Sequence, residues 1–451
     1  MSSNRENNSS KFNLVLREQF LANQWKAYPA KPINCRLWGR FLEIKNTPGQ
    51  YQLSLFKLGA DSFWENDWLT IPFHDPSDFW SQILIPGDLI ALESDQRITL
   101  LAPNLKPLET INKEHFIENI SKMKKDWLLW ELWRVYIRAV KLFFENKNFF
   151  EVTTPMIVSH PGPEPTLEPF VVSLKRNSRS LKKYLPTSPE LNIKKLLSCG
   201  VNRVFEVTKS FRNNEFSEKH LPEFWILEWY RNGEDLEVIK EDIKELVVFV
   251  SSTLREFLKK RSICNFQVNE PKEIEEISFK SIFSKVYDFD FFPETDFQKL
   301  QDFCLQQQVE HRGVQTLEDL FAVITLEKIE TTFLSENLIF LQQYPPYAAA
   351  LAKRDEQGWA LRFEAYWKGF ELANAFCELN DYSEQMKRFA QDNELKRIYG
   401  FEEIPPDELF LKYLQAGSPP AAGVALGLER LFMAVLGITD IESIVMQPHW
   451  E

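Results

Sequence analysis

Closely spaced cysteine pairs are missing from the sequence, and with them the usual means of building a disulfide framework or a zinc site. The five cysteines (Cys35, Cys199, Cys264, Cys304 and Cys377) are odd in number, and no two stand at CxxC spacing. That usage fits a reducing cytoplasm. There is no run of about 18 apolar residues, and the opening MSSNRENNSS has no apolar segment of a signal peptide. No membrane span is therefore expected, and residues 1–29 read as a disordered or extended tail. Cationic residues are in short supply: 53 Lys and Arg stand against 65 Asp and Glu, a formal charge of −12. Such a balance disfavours sequence-independent coating of nucleic acid but leaves room for a local basic groove. Neither a GxxxxGK(S/T) loop nor a GxGxxG turn occurs. A bound nucleotide would have to be held by arginines and carboxylates instead of a glycine-rich cradle.

What is abundant is material for a core. Hydrophobic residues make up 44% and aromatics 14% of 451 residues, too many for one ordinary core, so two or more domains are expected. Residues 30–105 carry five short β-rich runs (NCRLWGRFLEI, YQLSLFKLG, WLTIPF, DLIALES, ITLLAP) broken by Gly, Asn, Asp and Pro. That pattern suggests a small OB-like barrel, or else a sandwich fragment. A charged stretch, 106–125, reads as a linker. A helix then begins, capped by Asp126, with Trp130, Trp133, Ile137, Val140 and Phe144 at helical spacing. Strands and one helix at about 189–200 fill 151–231, and an amphipathic helix spans 235–261. A helical insertion extends to about 340, strands return at 361–378, and GVALGLERLFMAVLG closes the chain as a strand running into a helix. Strand clusters separated by helical blocks, without βαβ alternation, predict an α+β domain over 126–451 built on a mostly antiparallel sheet flanked by helices.

Three stretches carry candidate chemistry. In TKSFRNNEFSEKHLPEFWILEWYR, residues 204–212 and 223–231 read as strands around a polar loop that holds Arg212, Asn213 and Asn214. Alternation puts Phe224, Ile226, Glu228 and Tyr230 on one face and Trp225, Leu227 and Trp229 on the other. The tryptophan face suits a core. The mixed face can line a pocket, or be a half-buried sheet face with incidental polar groups. In RFEAYWKGFELANAFCELND, a two-residue turn at Lys368-Gly369 sets Glu371 across from Tyr366, with Glu364 a diagonal neighbour. Two facing carboxylates repel unless a cation lies between them, as when Mg2+ bridges to phosphates; a solvated acidic face is the alternative. In GVALGLER, small residues imply close approach to the backbone. Arg430 sits in a first helical turn, where the dipole disfavours a cation unless an anion such as phosphate is near. Tight strand–helix packing with a surface arginine is the plainer reading.

The order TSPE, FR, HxPEF, LEWY, ELANxFxEL and GVALGxxR resembles the catalytic core of class II aminoacyl-tRNA synthetases, lysyl branch, over roughly residues 127–448. The helix leading to EVTTP resembles motif 1, with Pro155 at a homodimer interface; the 208–231 hairpin resembles motif 2 and 423–437 motif 3. The resemblance implies an ATP-dependent enzyme that forms an aminoacyl-adenylate. Arg212 would clamp the α-phosphate, and Arg430 the γ-phosphate, as the catalytic cations. Asn213, Asn214, Leu221, Phe224, Glu371, Leu372 and Gly427 would complete the ATP site, with Phe224 stacked on adenine. Glu364 and Glu371 would hold Mg2+. Ser188, Glu190, Tyr230, Asn374, Glu378 and Ala425 would bind the amino acid, Glu190 and Glu378 taking its two ammonium groups.

Within that branch the motifs look closer to elongation factor P–(R)-β-lysine ligases than to lysyl-tRNA synthetases, which usually carry glycine at the position of Ala425. One methyl there is worth about 1–3 kcal/mol of discrimination and suits a β-amino substrate. Elongation factor P is then the expected acceptor, with tRNA, or a catalytically weakened paralogue acting as a binding module, as alternatives. Two features depart from the pattern. The ligases usually lack an anticodon-binding domain, whereas this chain has a barrel-like N-terminal one, in which residues 31–100 hold six basic against nine acidic side chains, a poor match to a tRNA-binding barrel and closer to a degenerate or protein-binding one. The family also reads Arg-x-Glu where this chain has Asn214, and asparagine where it has Leu221. An asparagine carbonyl still accepts from the adenine amine, so ATP binding is expected to persist in weaker form.

Overall fold

The computed structural model describes residues 113–445 except 163, 262, 264 and 265, together with Leu84 and five strands within 35–102. The expected tail, 1–29, and the start of the expected linker, 106–112, lie outside the described residues. The chain forms two units, Met1–Leu129 with Arg261–Ile263, and Trp130–Lys260 with Cys264–Glu451.

In the first unit the five β-rich runs form β1 (Cys35–Thr47), β2 (Gln50–Lys57), β3 (Trp68–Phe73), β4 (Leu89–Glu93) and β5 (Ile98–Ala102). They make one antiparallel sheet in the order β3-β2-β1-β4-β5. Helix α1 runs from Lys113 to Asn146. It begins well before Asp126, which therefore lies inside the helix and does not cap it. Residues 113–125, expected as linker, hold four Lys and two Glu and contain neither Pro nor Gly, so nothing stops the helix from extending through them.

The second unit is built on an eight-stranded sheet, β11-β12-β13-β14-β15-β10-β9-β6. Its strands are β6 (Phe150–Glu151), β9 (Arg203–Phe211), β10 (Glu223–Asn232), β11 (Ile274–Ser278), β12 (Leu338–Tyr344), β13 (Ala360–Trp367), β14 (Phe370–Cys377) and β15 (Ala421–Gly427). A separate hairpin pairs β7 (Val171–Arg176) with β8 (Arg179–Tyr184). The expected antiparallel arrangement holds from β12 to β9, but both edges are parallel: β11 beside β12 and β6 beside β9. Strand β11 lies within the segment expected as a helical and irregular insertion.

The helices are α2 (Glu190–Ser198), α3 (Leu236–Lys260), α4 (Phe279–Tyr287), α5 (Phe297–Gln307), α6 (Leu317–Ile324), α7 (Tyr382–Ile398), α8 (Glu408–Ala416) and α9 (Leu428–Leu436). In α3, Ile239, Ile243, Leu246, Val250, Leu254 and Leu258 recur at three- and four-residue spacing and are buried, while Glu237 opens the helix and Lys259 and Lys260 close it, matching its dipole. Helices α4–α6 start on side-chain caps from Ser278, Asp296 and Thr316. They share an aromatic core in which Phe283 and Phe291 stack at 4.4 Å.

Helices α3 and α9 cover the sheet face that carries Leu227 and Trp229, both fully buried. That face is pinned by one carboxylate. Asp242 of α3 accepts from Arg231 Nε at 2.7 Å and Nη2 at 2.8 Å, from Trp229 Nε1 at 3.2 Å, and from Lys147 Nζ at 2.9 Å. Removing it strands the buried Arg231 guanidinium without a counter-charge. Asp242→Ala is expected to destabilise the catalytic unit by about 3–5 kcal/mol, read as a lowered urea midpoint with an unchanged slope.

Candidate active site

The opposite face of the sheet floors a cavity of about 680 Å³. Arg212, Leu221, Phe224, Glu364, Glu371, Leu372, Asn374, Ala425, Gly427 and Arg430 line it, as do Ser188 and Glu190 at the start of α2. Tyr230 and Glu378 lie behind that wall, buried. Asn213 and Asn214 are not in it.

One end of the cavity is cationic. Arg212, at the end of β9, lies with its guanidinium carbon 5.1 Å from the Phe224 ring centre and its Nε buried without a hydrogen-bond partner. Glu215 faces it at 3.6 Å. The two asparagines after Arg212 turn away to Glu168. Asn213 donates from its backbone to the Glu168 carbonyl at 2.8 Å and from Nδ2 to Oε1 at 2.9 Å, and Asn214 Nδ2 donates to Oε2. Asn214 has φ +62°, left-handed backbone that asparagine tolerates far better than glutamate. The substitution thus follows the turn, and the carboxylate it displaces reappears one residue later, in the cavity wall. Arg430 donates from Nη1 to the Glu371 carbonyl at 2.8 Å and approaches His220 Nε2 at 2.5 Å. Burial and then the Arg430 charge push the His220 imidazole down to about 4, so it is neutral here.

The β13–β14 hairpin supplies the acidic pair. Lys368 and Gly369 form the expected two-residue turn, with φ +53° and +76°, and Tyr366 pairs with Glu371. A bulge follows: the partner of Ala365 is Ala373, leaving Leu372 unpaired. The extra residue inverts the alternation of β14, so that Glu371 and Asn374 both reach the cavity although they are three apart. Glu364 is already engaged, accepting from Arg362 Nη2 and from Tyr366 OH at 2.5 Å. Arg362 also donates to Asn374 Oδ1 at 3.0 Å and to the Ala348 carbonyl at 2.6 Å, its guanidinium 4.2 Å from the Tyr344 ring. A third carboxyl, Glu330, accepts from Tyr366 OH at 3.2 Å and is raised to about 7 by burial and then by Glu371 and Glu364. Among the described residues no three such groups form a ready-made metal cage. Crowded oxygen ligands of this kind suit Mg2+, which is ordinarily held by one or two carboxylates and completed by substrate phosphates.

The other end is a buried carboxylate cluster. Glu190 begins α2, and Lys194, one turn on, donates to Glu190 Oε1. Lys194 Nζ also lies 2.5 Å from Glu378 Oε2. Burial lowers the lysine's affinity for its proton, but Glu190 and Glu378 outweigh that, and the ammonium is held firmly charged. Burial raises the Glu378 carboxyl, opposed by Lys194. Both its oxygens are buried without a hydrogen-bond partner, Oε2 having only the ion pair with Lys194. Glu228 accepts from Ser188 Oγ at 2.5 Å and from Tyr230 OH at 2.9 Å. Burial, then the neighbouring Glu190, pushes it up to about 8. Glycine is needed at 423, opposite Tyr230: a Cβ there would overlap the Tyr230 ring and Glu378 Oε1.

Sequence reasoning placed Glu228 on the face that can line a pocket but gave it no role, and it did not assign Lys194, Arg362 or Glu330 to the site. Lys194 and Arg362 had a local signal, being four residues after Glu190 and two before Glu364. Glu330 had none, since its position depends on how the insertion folds back.

A cavity of this kind on an antiparallel sheet, with arginines where glycine-rich loops are absent, defines a class of adenylate-forming enzymes. Residues 121–451 match the family model for tRNA synthetases class II (D, K and N). The chain belongs to that family. Among similar proteins, the elongation factor P–(R)-β-lysine ligase of Avibacterium paragallinarum is 32% identical over 316 residues, 68% of this chain and 91% of that protein. Those of Proteus mirabilis (32% over 318 residues, 69% and 92%) and Buchnera aphidicola subsp. Schizaphis graminum (32% over 320 residues, 68% and 92%) are similarly related.

Glu228 gives the site a pH signature. Its folded value, about 8, lies above its ordinary 4.5, so the unfolded chain releases this proton first and stability falls as pH rises from 4.5 through 8. Glu228→Gln removes that slope. The melting temperature of the variant relative to wild type should therefore be higher at pH 9 than at pH 6; an equal difference at both would show that Glu228 is ionised in the folded protein.

Proposed function

We propose that the protein activates a lysine-type amino acid, (R)-β-lysine, with ATP and transfers it from the adenylate to a lysine side chain of elongation factor P. The observation that carries this reading is the polarity of one cavity: two guanidinium groups and an aromatic ring line it, and so does Glu190, with the buried carboxyls of Glu228 and Glu378 behind that part of the wall. An adenylate with a phosphate at its centre and ammonium groups on its acyl part is complementary to that layout.

In the first step the substrate carboxylate attacks the α-phosphorus and pyrophosphate leaves. The protein's contribution is alignment and charge neutralisation. Arg212, with its unpartnered Nε, is assigned the α-phosphate as a planar fork, and Arg430 the γ-phosphate. Phe224 stacks on adenine, and Leu221, Leu372 and Gly427 bound the nucleotide. Glu364 and Glu371 are assigned Mg2+, which when bound neutralises phosphate charge. Asn374 keeps its Nδ2 donor for the substrate carboxylate, because Arg362 occupies its Oδ1. Glu190 and Glu378 take the two ammonium groups, and Tyr230 braces Glu228 beside them. In the second step the neutral acceptor amine attacks the adenylate carbonyl, the acyl–phosphate bond breaks and AMP leaves, and the amide nitrogen gives up its extra proton to solvent.

Ala425, opposite both Glu228 and Asn374 in the sheet, sits where its methyl narrows the floor between the two ends of the ligand, which favours a β-amino over an α-amino group. A homodimer fits the exposed apolar residues around Pro155, with Phe150 65% and Ile157 49% exposed. No helix among the described residues is long and apolar enough to cross a membrane, and a cytoplasmic enzyme acting on a translation factor accords with that.

Pyrophosphate exchange tests the first step and transfer to elongation factor P or to tRNA tests the second. Exchange with (R)-β-lysine in preference to L-lysine, and transfer to elongation factor P, are expected. Strong charging of tRNA with L-lysine would overturn the acceptor, and no exchange with either amino acid would overturn the enzyme. Arg212→Ala should abolish exchange while leaving the melting temperature within a few degrees of wild type. Ala425→Gly should shift the preference towards L-lysine by about tenfold, one methyl's worth of discrimination.

A further inference from the structure

The lysine-type substrate proposed above brings two ammonium groups to Glu190 and Glu378, yet the free protein already holds an ammonium between them. Lys194 is buried, reaches both carboxylates and lies on the same face of α2 as Glu190, one turn along. Each carboxylate commits one oxygen to it, Glu190 Oε1 and Glu378 Oε2. The remaining oxygen of Glu378 is buried and has no hydrogen-bond partner, and Glu190 opens on the cavity. Lys194, like Glu378, does not line the cavity; the two stand together behind the wall that Glu190 forms, with Glu378 Oε1 an unpartnered acceptor beside Tyr230 and Gly423.

We infer that Lys194 is a specificity-determining positioning residue, an internal counter-cation that bridges Glu190 and Glu378 and fixes their separation, so that the pocket selects amino acids carrying two ammonium groups. Geometry supports this role: the Lys194 ammonium is within ion-pair distance of both Glu190 and Glu378, which belong to segments far apart in the chain. Without Lys194, two carboxylates would confront each other in a medium of low dielectric with no charge between them. Such a pair relaxes by taking up a proton or by moving apart. In either case an arriving ammonium meets a weaker acceptor or a misplaced one. ATP, held at the arginine end, would not be affected.

The inference rests on the reading of the site under Proposed function, and the test separates the two. Pyrophosphate exchange is measured against amino acid and ATP for wild type, Lys194→Met and Lys194→Arg. Lys194→Met is expected to raise the amino-acid KM at least about tenfold with the ATP KM within about twofold, and Lys194→Arg to recover most of the loss. Lys194→Ala with added propylammonium, which replaces the missing charge, should regain part of the amino-acid affinity. That measurement also serves if the methionine variant folds poorly. An unchanged amino-acid KM in Lys194→Met overturns the proposal. So does a parallel rise of both KM values with a lowered melting temperature and no rescue by amine, which would reduce Lys194 to a fold-stabilising ion pair. Wild-type protein that exchanges no diamino acid overturns the underlying reading and this proposal with it; active wild type with an indifferent Lys194→Met overturns this proposal alone.

Discussion

Burial of more carboxylate than the interior tolerates uncompensated is the constraint to which the catalytic unit conforms. Glu190, Glu228, Glu364 and Glu378 are all buried, and an isolated ionised carboxylate in such surroundings costs several kcal/mol or more. Each is therefore matched to a specific partner. Lys194 serves Glu190 and Glu378, two hydroxyls serve Glu228, and Arg362 with Tyr366 serves Glu364. These partners come from α2, β10 and β13, so the sheet and the first helix beside it must be in register before the charges can be met. The same requirement explains Gly423. Tyr230 and Glu378 occupy the volume in which any side chain at that position would lie.

The two faces of β10 show how one strand serves stability and chemistry together. Leu227, Trp229 and Arg231 point to helix α3, where Asp242 gathers a guanidinium, an indole and an ammonium. Ile226, Glu228 and Tyr230 point the other way, to the cavity floor and the cluster behind it. A one-residue slip would exchange the two sets, placing a carboxyl against the helix and a tryptophan in the site. Pairing on both sides, with β9 and β15, makes such a slip costly.

Much of this layout was legible in the sequence. Alternation assigned the faces of 223–231, the Lys368-Gly369 dipeptide gave the turn and the Tyr366–Glu371 pairing, and the small residues of 421–427 signalled a close approach. The motif order brought in the family, and twelve of the sixteen residues singled out for the site line the cavity. What local pattern did not show has separate physical origins. Asp126 was read as a cap because capping propensity is local, whereas the helix continues as long as no residue interrupts it. Asn213 and Asn214 were read as nucleotide contacts by position; their side chains bond to Glu168, some 45 residues earlier, a pairing that no local pattern encodes.

The sequence by itself determined the order of elements, the face of each strand and the chemical types gathered in the motifs, because these follow from periodicities of two and 3.6 and from turn residues that admit positive φ. Tertiary structure alone decided three things. The Leu372 bulge set Glu371 and Asn374 on one face against strict alternation. The fold of the insertion delivered Glu330 to the carboxylate pair. The approach of β14 to α2 placed Lys194 between two acids 188 residues apart in the chain. Each depends on where distant segments meet, and the electrostatic cost of buried charge, which no single segment carries, decides which meeting is stable.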